Sequence, residues 1–429
     1  MISHRIPAKL HYGGITMIDC TAIIAEYNPF HNGHAYLIRR AREISGADAV
    51  VAVMSGDFVQ RGLPAVFDKY TRTAMALAGG CDLVLELPTA AAASSAQRFA
   101  EGAVAILNGI GVVDELWFGS ESGDMEFFRL LAPVLSGEPE EYRNLLKRQL
   151  ACGRSVPRAR EEALAGYFAD RESTEKCEKI REFLEQPNNI LGLEYCIALR
   201  KTGSAVVPRT LKRHGSDYHD CSFKIGGRFH SAAAIRSRIF SGDGLDPLAD
   251  SVPSEVFGIL ENACTSSVPL REDDFSEMLL YQLLREGLES QSLSRYLDVT
   301  EDLAGRIQNH IGVCQRFSEF AELLSAKNMP RAQVNRALLH ILLNIRKEDL
   351  HRAIHPEYVH LLGFSEKGRE ILREIKTGGG ERLCPVAKIS SLPPELTRTD
   401  VFASNLYESV RAVRSGKKFL HEFSRQVMR

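Results

Sequence analysis

At 429 residues the chain exceeds the size at which a single hydrophobic core stops growing, so a catalytic unit plus an accessory one is expected. Its 53 basic and 55 acidic residues leave a formal net charge of −2, which excludes whole-molecule attraction to nucleic acid and confines any RNA partner to a local patch. With 44% hydrophobic residues and no run of the roughly 20 apolar residues that spans a bilayer, the composition is that of a cytoplasmic globular protein with no membrane role; nine scattered cysteines without zinc or redox spacing predict reduced, mostly buried thiols.

Residues 1–16 lack the apolar core of a secretory signal and are expected to be a disordered extension or a mis-called start before Met17. The isoleucine-rich run Ile18 to Ala25, stopped by Asn28-Pro29, reads as a buried parallel strand, and Gly33 to Ile44 follows at helical spacing. The alternation repeats through strand Ala49 to Met54, helix Phe67 to Ala78, strand Leu83 to Leu87, helix Ala91 to Leu107 and strand Glu115 to Phe118. Short apolar strands separated by helices predict an α/β fold, a Rossmann-like doubly wound parallel sheet. A charged helical stretch, about 120–204, reads as an insertion within that sheet. A return strand near Ala205 to Val207, a polar loop from Arg213 to Asp220 and a helix opening at Ser231 complete a unit spanning 17–245. Beyond Asp246 the spacing predicts helices nearly to the end, a mainly α-helical C-terminal domain over 246–429, with Gly378-Gly379-Gly380 as a flexible corner.

The strongest chemical signal is Glu26-Tyr27-Asn28-Pro29-Phe30-His31-Asn32-Gly33-His34, set between the first strand and the first helix. A helix N-terminus carries unpaired N–H groups and a partial positive charge, which suits a phosphate, and Gly33 lets that backbone approach closely. His31 and His34, three residues apart, can both face the ligand from the first turn; their plainer role is to cap the helix. The position, outside the carboxyl ends of parallel strands, favours a phosphate site.

His31, Gly33 and His34 resemble the His-x-Gly-His signature of nucleotidyltransferases related to class I aminoacyl-tRNA synthetases. Such enzymes pair it with a Ser/Thr-rich turn and a basic residue on a late helix, a place filled here by Ser231-Ala232-Ala233-Ala234-Ile235-Arg236, where two usual hydroxyl positions are alanines. Ser231 can still cap and Arg236 can still reach a phosphate. The longer string Ala25 to His34 is similar to the tRNA(Met) cytidine acetate ligase family. So are Ser55-Gly56-Asp57-Phe58-Val59-Gln60-Arg61-Gly62, Phe118-Gly119-Ser120-Glu121, Gln186-Pro187-Asn188-Asn189-Ile190-Leu191-Gly192 and Tyr218-His219-Asp220.

The resemblance implies a ligase that activates acetate with ATP and acetylates N4 of the wobble cytidine of elongator methionine tRNA, releasing AMP and pyrophosphate, with Mg2+ accompanying ATP and no DNA partner. It implies a nucleotide site of Ile24, Ala25, Glu26, Tyr27, Asn28, Pro29, Phe30, His31, Asn32, Gly33, His34, Ala35, Tyr36, Leu37, Gly119, Asn188 or Asn189 with Asn189 preferred, Arg213, His214 and Ser231. His34, His31 and Arg236 are expected to stabilise phosphoryl charge, with Asp57 or the Tyr218-His219-Asp220 loop as proton acceptor. No dedicated metal motif is present. Between Arg398 and Arg429 the basic residues outnumber the acidic, and Arg398, Arg411, Arg414, Lys417 and Lys418 are expected to form an exposed tRNA-binding patch. Two other readings stay open: a small-molecule adenylyltransferase acting on a pantetheine phosphate or nicotinamide mononucleotide, and a non-catalytic RNA-binding protein on the same fold.

Overall fold

The computed structural model describes residues 18–213, 227–289, 291–313, 315–378 and 382–429. The N-terminal extension, Met17, His214, the Tyr218-His219-Asp220 loop and the Gly379-Gly380 corner therefore lie outside the described residues.

The apolar runs form a seven-stranded sheet of β1 (Cys20–Ala25), β2 (Ala49–Ser55), β3 (Leu83–Leu87), β4 (Glu115–Ser120), β5 (Val207–Lys212), β6 (Val359–Phe364) and β7 (Pro385–Val386), in the order β5-β4-β1-β2-β3-β6-β7. From β5 across to β3 every neighbouring pair is parallel. Side chains alternate between two cores: Val51 and Val53 pack with the helices of one face, while Val50, Ala52 and Met54 pack with those of the other. Burial on both faces explains why these strands read as unbroken apolar runs. Strands progress outward from β1 in both directions, so a crevice opens at the carboxyl ends of β1 and β4, the topological switch point of such sheets.

Five helices, Glu126–Gly137, Glu140–Ala151, Val156–Phe168, Thr174–Glu185 and Pro187–Lys201, stand between β4 and β5. The last lies close on the sheet because a Cβ at Gly192 would come within 2.4 Å of Phe118. Two readings of the sequence need correction. The helix expected over Ala91 to Leu107 is broken into Thr89–Ala92 and Ala96–Ile110, the second started by Ser95, whose hydroxyl accepts from Arg98 N–H. The chain beyond residue 246 is not helical throughout: Val359–Phe364 inserts beside β3, antiparallel to it, and Pro385–Val386 pairs with it. One hydrophobic cluster consequently joins residues from both halves of the chain.

Candidate active site

The segment after β1 is anchored from below before it turns into the first helix, α1 (Asn32–Ser45). Tyr27 has φ 47° and is buried, its hydroxyl 3.4 Å from Cys81 Sγ. Phe30 is fully buried against Gly79, where a Cβ would stand 2.2 Å from its ring. Asn28 Oδ1 accepts from Val66 N–H at 2.8 Å, and Asn32 Nδ2 donates to the carbonyls of Arg228 and Asp250. These side chains fix the path of the loop and leave its histidines to face the crevice.

His31 and His34 cap α1 reciprocally. His31 Nδ1 accepts from Gly33 N–H at 3.0 Å, His34 Nδ1 accepts from His31 N–H at 3.2 Å, and the two rings stack with centroids 3.7 Å apart. The expected choice between capping and ligand binding is thus no choice, since capping uses one nitrogen of each ring. A neutral imidazole that accepts at Nδ1 carries its proton on Nε2, an assignment that follows from the hydrogen bonds. Both rings are neutral: burial, then the cations Arg213 and Arg236, lower His31 to about 3, and burial, then His31 and Arg213, hold His34 well below its usual value. Each therefore offers a fixed N–H donor beside a helix N-terminus, which complements phosphoryl oxygens.

A cavity of about 250 Å3 opens at this point, walled by the ends of β1 and β4, the short ribbon Phe58–Val59/Leu63–Pro64 and helices Pro187–Lys201 and Ala232–Ser241. The second basic turn reaches the same space. Ser231 caps its helix by accepting from Ala234 N–H at 3.0 Å, and Arg236 donates to the Asn28 carbonyl at 2.7 Å; both line the cavity with Arg213. Gly119 leaves room for Arg213, whose Cγ would lie 3.1 Å from a Cβ there. A smaller adjoining pocket of about 70 Å3 is lined by Gly33, Tyr36, Leu37, Lys212, Phe229 and His230 among others. Leu270, Arg271 and Glu272 come from the C-terminal half to the rim.

Of the expected site residues, Ile24, Ala25, Glu26, Tyr27, Asn28, His31, His34, Leu37, Gly119, Asn188, Arg213, Ser231 and Arg236 meet in the main cavity, and Gly33 and Tyr36 in its neighbour. Pro29, Phe30, Asn32 and Ala35 line neither, because the first three anchor or steer the loop and Ala35 lies within the helix. The preference for Asn189 is corrected. Its Oδ1 accepts from the N–H groups of Glu121 and Ser122 and its Nδ2 donates to Phe183 O, so it shapes the loop after β4, while Asn188 faces the cavity. Asp57 is corrected as well. It is buried away from the cavity and accepts from Lys69 N–H at 2.7 Å, at the start of the helix Lys69–Ala78 that Asp68 caps, and burial pushes its carboxyl to about 6 against the pull of Lys69 and Arg72. In the C-terminal patch Arg411 is only 8% exposed and grips both oxygens of Glu408, three residues earlier, so it is not a surface cation. Arg398 pairs with Asp349 and Arg414 with Asp274, while Lys417 and Lys418 are exposed.

Two residues without a sequence signal hold the site together. Arg72 is fully buried, and its guanidinium donates to the carbonyls of Glu26, Ser55, Gly56 and Phe67, tying the ends of β1 and β2 to one helix. Lys69 Nζ lies 2.8 Å from Glu86 and 2.7 Å from Glu422, with His360 Nδ1 2.6 Å from Glu86. Glu86, His360 and Glu422 converge closely enough for a metal, but the Lys69 ammonium sits among them as their cation. Burial opposes that charge; Glu422 and Glu86 outweigh it and hold the ammonium well above its usual range.

Comparison with known proteins fits this geometry. The chain matches the HIGH Nucleotidyl Transferase family model over residues 18–420. It is 39% identical over 386 residues to the tRNA(Met) cytidine acetate ligase of Thermoanaerobacter sp. (strain X514), covering 90% of this chain and 92% of that one. With the Clostridium perfringens (strain ATCC 13124) protein of the same name it shares 38% identity over 392 residues, 91% of this chain and 95% of that one. Among solved structures it is similar to Thermotoga maritima TmcAL in its apo form, with TM-score 0.87, 34% identity and coverage of 96% and 99%. The same Thermotoga protein bound with alpha-thio ATP gives a TM-score of 0.85 at 32% identity, again covering 96% and 99%.

Proposed function

Because the chain belongs to the HIGH nucleotidyltransferase family and, within it, to the tRNA(Met) cytidine acetate ligases, we propose that it activates acetate with ATP and acetylates N4 of the wobble cytidine of elongator methionine tRNA. The observation that carries this reading is the convergence of two neutral histidine N–H donors, a helix N-terminus and the cations Arg213 and Arg236 on one cavity at the switch point.

In the first step an acetate oxygen attacks the α-phosphorus of ATP in line, the bond to pyrophosphate breaks, and acetyl-adenylate forms. A carboxylate is already nucleophilic at neutral pH, so this step asks for positioning and charge stabilisation rather than a base. His31 and His34 donate to phosphoryl oxygens through Nε2, and Arg213 and Arg236 offset the growing charge. In the second step the cytosine amine attacks the acetyl carbonyl and AMP leaves, with the base turned out of its stack into the cavity. Among the described residues the carboxylates lining the cavity are Glu26 and Glu272, too sparse a set to hold an ion, so a Mg2+ accompanying ATP would be held by the phosphates and water. Bound there, the ion would neutralise triphosphate charge.

The reading also assigns tRNA docking to the C-terminal half, with Lys417 and Lys418 as phosphate contacts, Arg398 and Arg414 at its edge, and a cytoplasmic site of action. Incubation of the protein with methionine tRNA, ATP and isotopically labelled acetate, followed by digestion to nucleosides and mass spectrometry, is expected to yield labelled N4-acetylcytidine at the wobble position. Label elsewhere in the tRNA, or on a small acceptor and not on tRNA, overturns it.

A further inference from the structure

Of the proton acceptors expected for acetyl transfer, Asp57 lies away from the cavity and the Tyr218-His219-Asp220 loop lies outside the described residues. Resting on the ligase reading, we propose that Glu26 and Gln60 form the cytosine subsite, with Glu26 taking the amine proton and Gln60 holding the ring's acceptor edge. The two residues are joined: Gln60 N–H donates to Glu26 Oε1 at 3.0 Å, and both residues line the cavity that holds His34 and Arg236. Glu26 stands two residues before Asn28, whose carbonyl accepts from Arg236. Its backbone is fixed too, by Arg72 Nη1 on its carbonyl at 2.6 Å.

Gln60 carries the second observation. Its Nε2 is enclosed and meets no acceptor among the described residues, although enclosed amide donors are ordinarily paired. The ribbon that carries it cannot drift, because the turn residue Gly62, at φ 71°, abuts the backbone of Asn335 and Arg336, where a Cβ would come within 2.4 Å. An amide donor beside a carboxylate acceptor is the complement of one base edge: N4–H of cytosine donates to Glu26, and N3 or O2 accepts from Gln60. Uracil, with O4 in place of the amine, would set a carbonyl against the carboxylate. Phe99 and Tyr195 supply apolar wall in the same cavity, suited to a flat ring.

In the transfer step the N4 lone pair forms a bond to the acetyl carbon, and the bond from that carbon to the adenylate oxygen breaks, its electron pair leaving with AMP. The N4 proton passes to Glu26 Oε2 and from there to water. Glu272, the other carboxylate lining the cavity among the described residues, serves as the control.

The test measures, on the full-length chain, acetate-dependent ATP–pyrophosphate exchange and single-turnover acetyl transfer to a methionine tRNA transcript. Glu26→Gln keeps the oxygen that accepts from Gln60 N–H but cannot take a proton, and is expected to lower the ratio of transfer to exchange about 100-fold or more. Gln60→Leu is expected to raise the tRNA concentration for half-maximal transfer roughly tenfold, the effect of one lost hydrogen bond, with a smaller change in the limiting rate. An unchanged ratio in Glu26→Gln, a parallel fall of both activities, or a split produced by Glu272→Gln instead overturns the assignment. Absence of acetate-dependent exchange in the unsubstituted protein instead overturns the ligase reading on which it rests.

Discussion

Replacing His31 by asparagine isolates the claim that the site's histidines are neutral donors. Asparagine is a strong N-cap and can accept from Gly33 N–H as His31 Nδ1 does, so α1 keeps its start while the titrating ring is lost. In the folded protein His31 is held at about 3, from burial and the nearby Arg213 and Arg236, against an unfolded value of 6.5. The unfolded chain therefore binds a proton below pH 6.5 that the folded chain refuses. Stability from the neutral ring is fully present above 6.5 and drains as pH falls toward 3. With about 1.36 kcal/mol per pH unit, roughly 2 kcal/mol is lost between neutrality and pH 5. Urea unfolding of both proteins at about pH 7.5 and about pH 5 reads this directly, because titrations common to both cancel. His31→Asn is expected to lose about 2 kcal/mol less than the unsubstituted protein over that interval. An equal loss in both would mean that His31 protonates normally in the folded state, and the fixed Nε2–H donor would have to be abandoned.

Three further outcomes follow from the same contacts. His34→Ala is expected to stay folded, with about 1 kcal/mol lost from the cap, and to form acetyl-adenylate on the order of a hundredfold more slowly; circular dichroism beside the exchange assay reads both. Lys69→Met leaves Glu86 and Glu422 buried without their cation and should cost about 3–5 kcal/mol in urea unfolding, a loss that a stability change under 1 kcal/mol would rule out. Replacing Lys417 and Lys418 by alanine should weaken tRNA binding and lower its salt slope by about 1 per phosphate contact removed, with exchange retained; an unchanged slope places the RNA elsewhere.

Much of the sheet was legible because parallel strands buried on both faces leave continuous apolar runs, as in β1 to β4, and because the histidine motif falls at a strand-to-helix junction. β6 was not legible. Val359 to Phe364 is a short run, broken by His360 and Gly363 and set amid helices, and its place beside β3 is set by pairing across nearly three hundred residues. Arg72 and Lys69 carry no pattern at all, since their partners are backbone carbonyls and a glutamate 353 residues away, read from the numbers of Lys69 and Glu422. Arg411 misled because a basic residue in a charged run looks solvated, although Glu408 at helical spacing was there to claim it. Between Asn188 and Asn189 the sequence offers nothing to choose; only the rotation of the helix start decides which side chain meets the cavity and which holds the loop after β4.

The central claim is that one cavity adenylates a carboxylate before any RNA is engaged. ATP–pyrophosphate exchange without tRNA, run with acetate, without it and with pantetheine phosphate or nicotinamide mononucleotide in its place, tests this most directly. Exchange that requires acetate and persists in the absence of tRNA is the predicted result; exchange driven by a phosphate acceptor, or none with acetate, contradicts it.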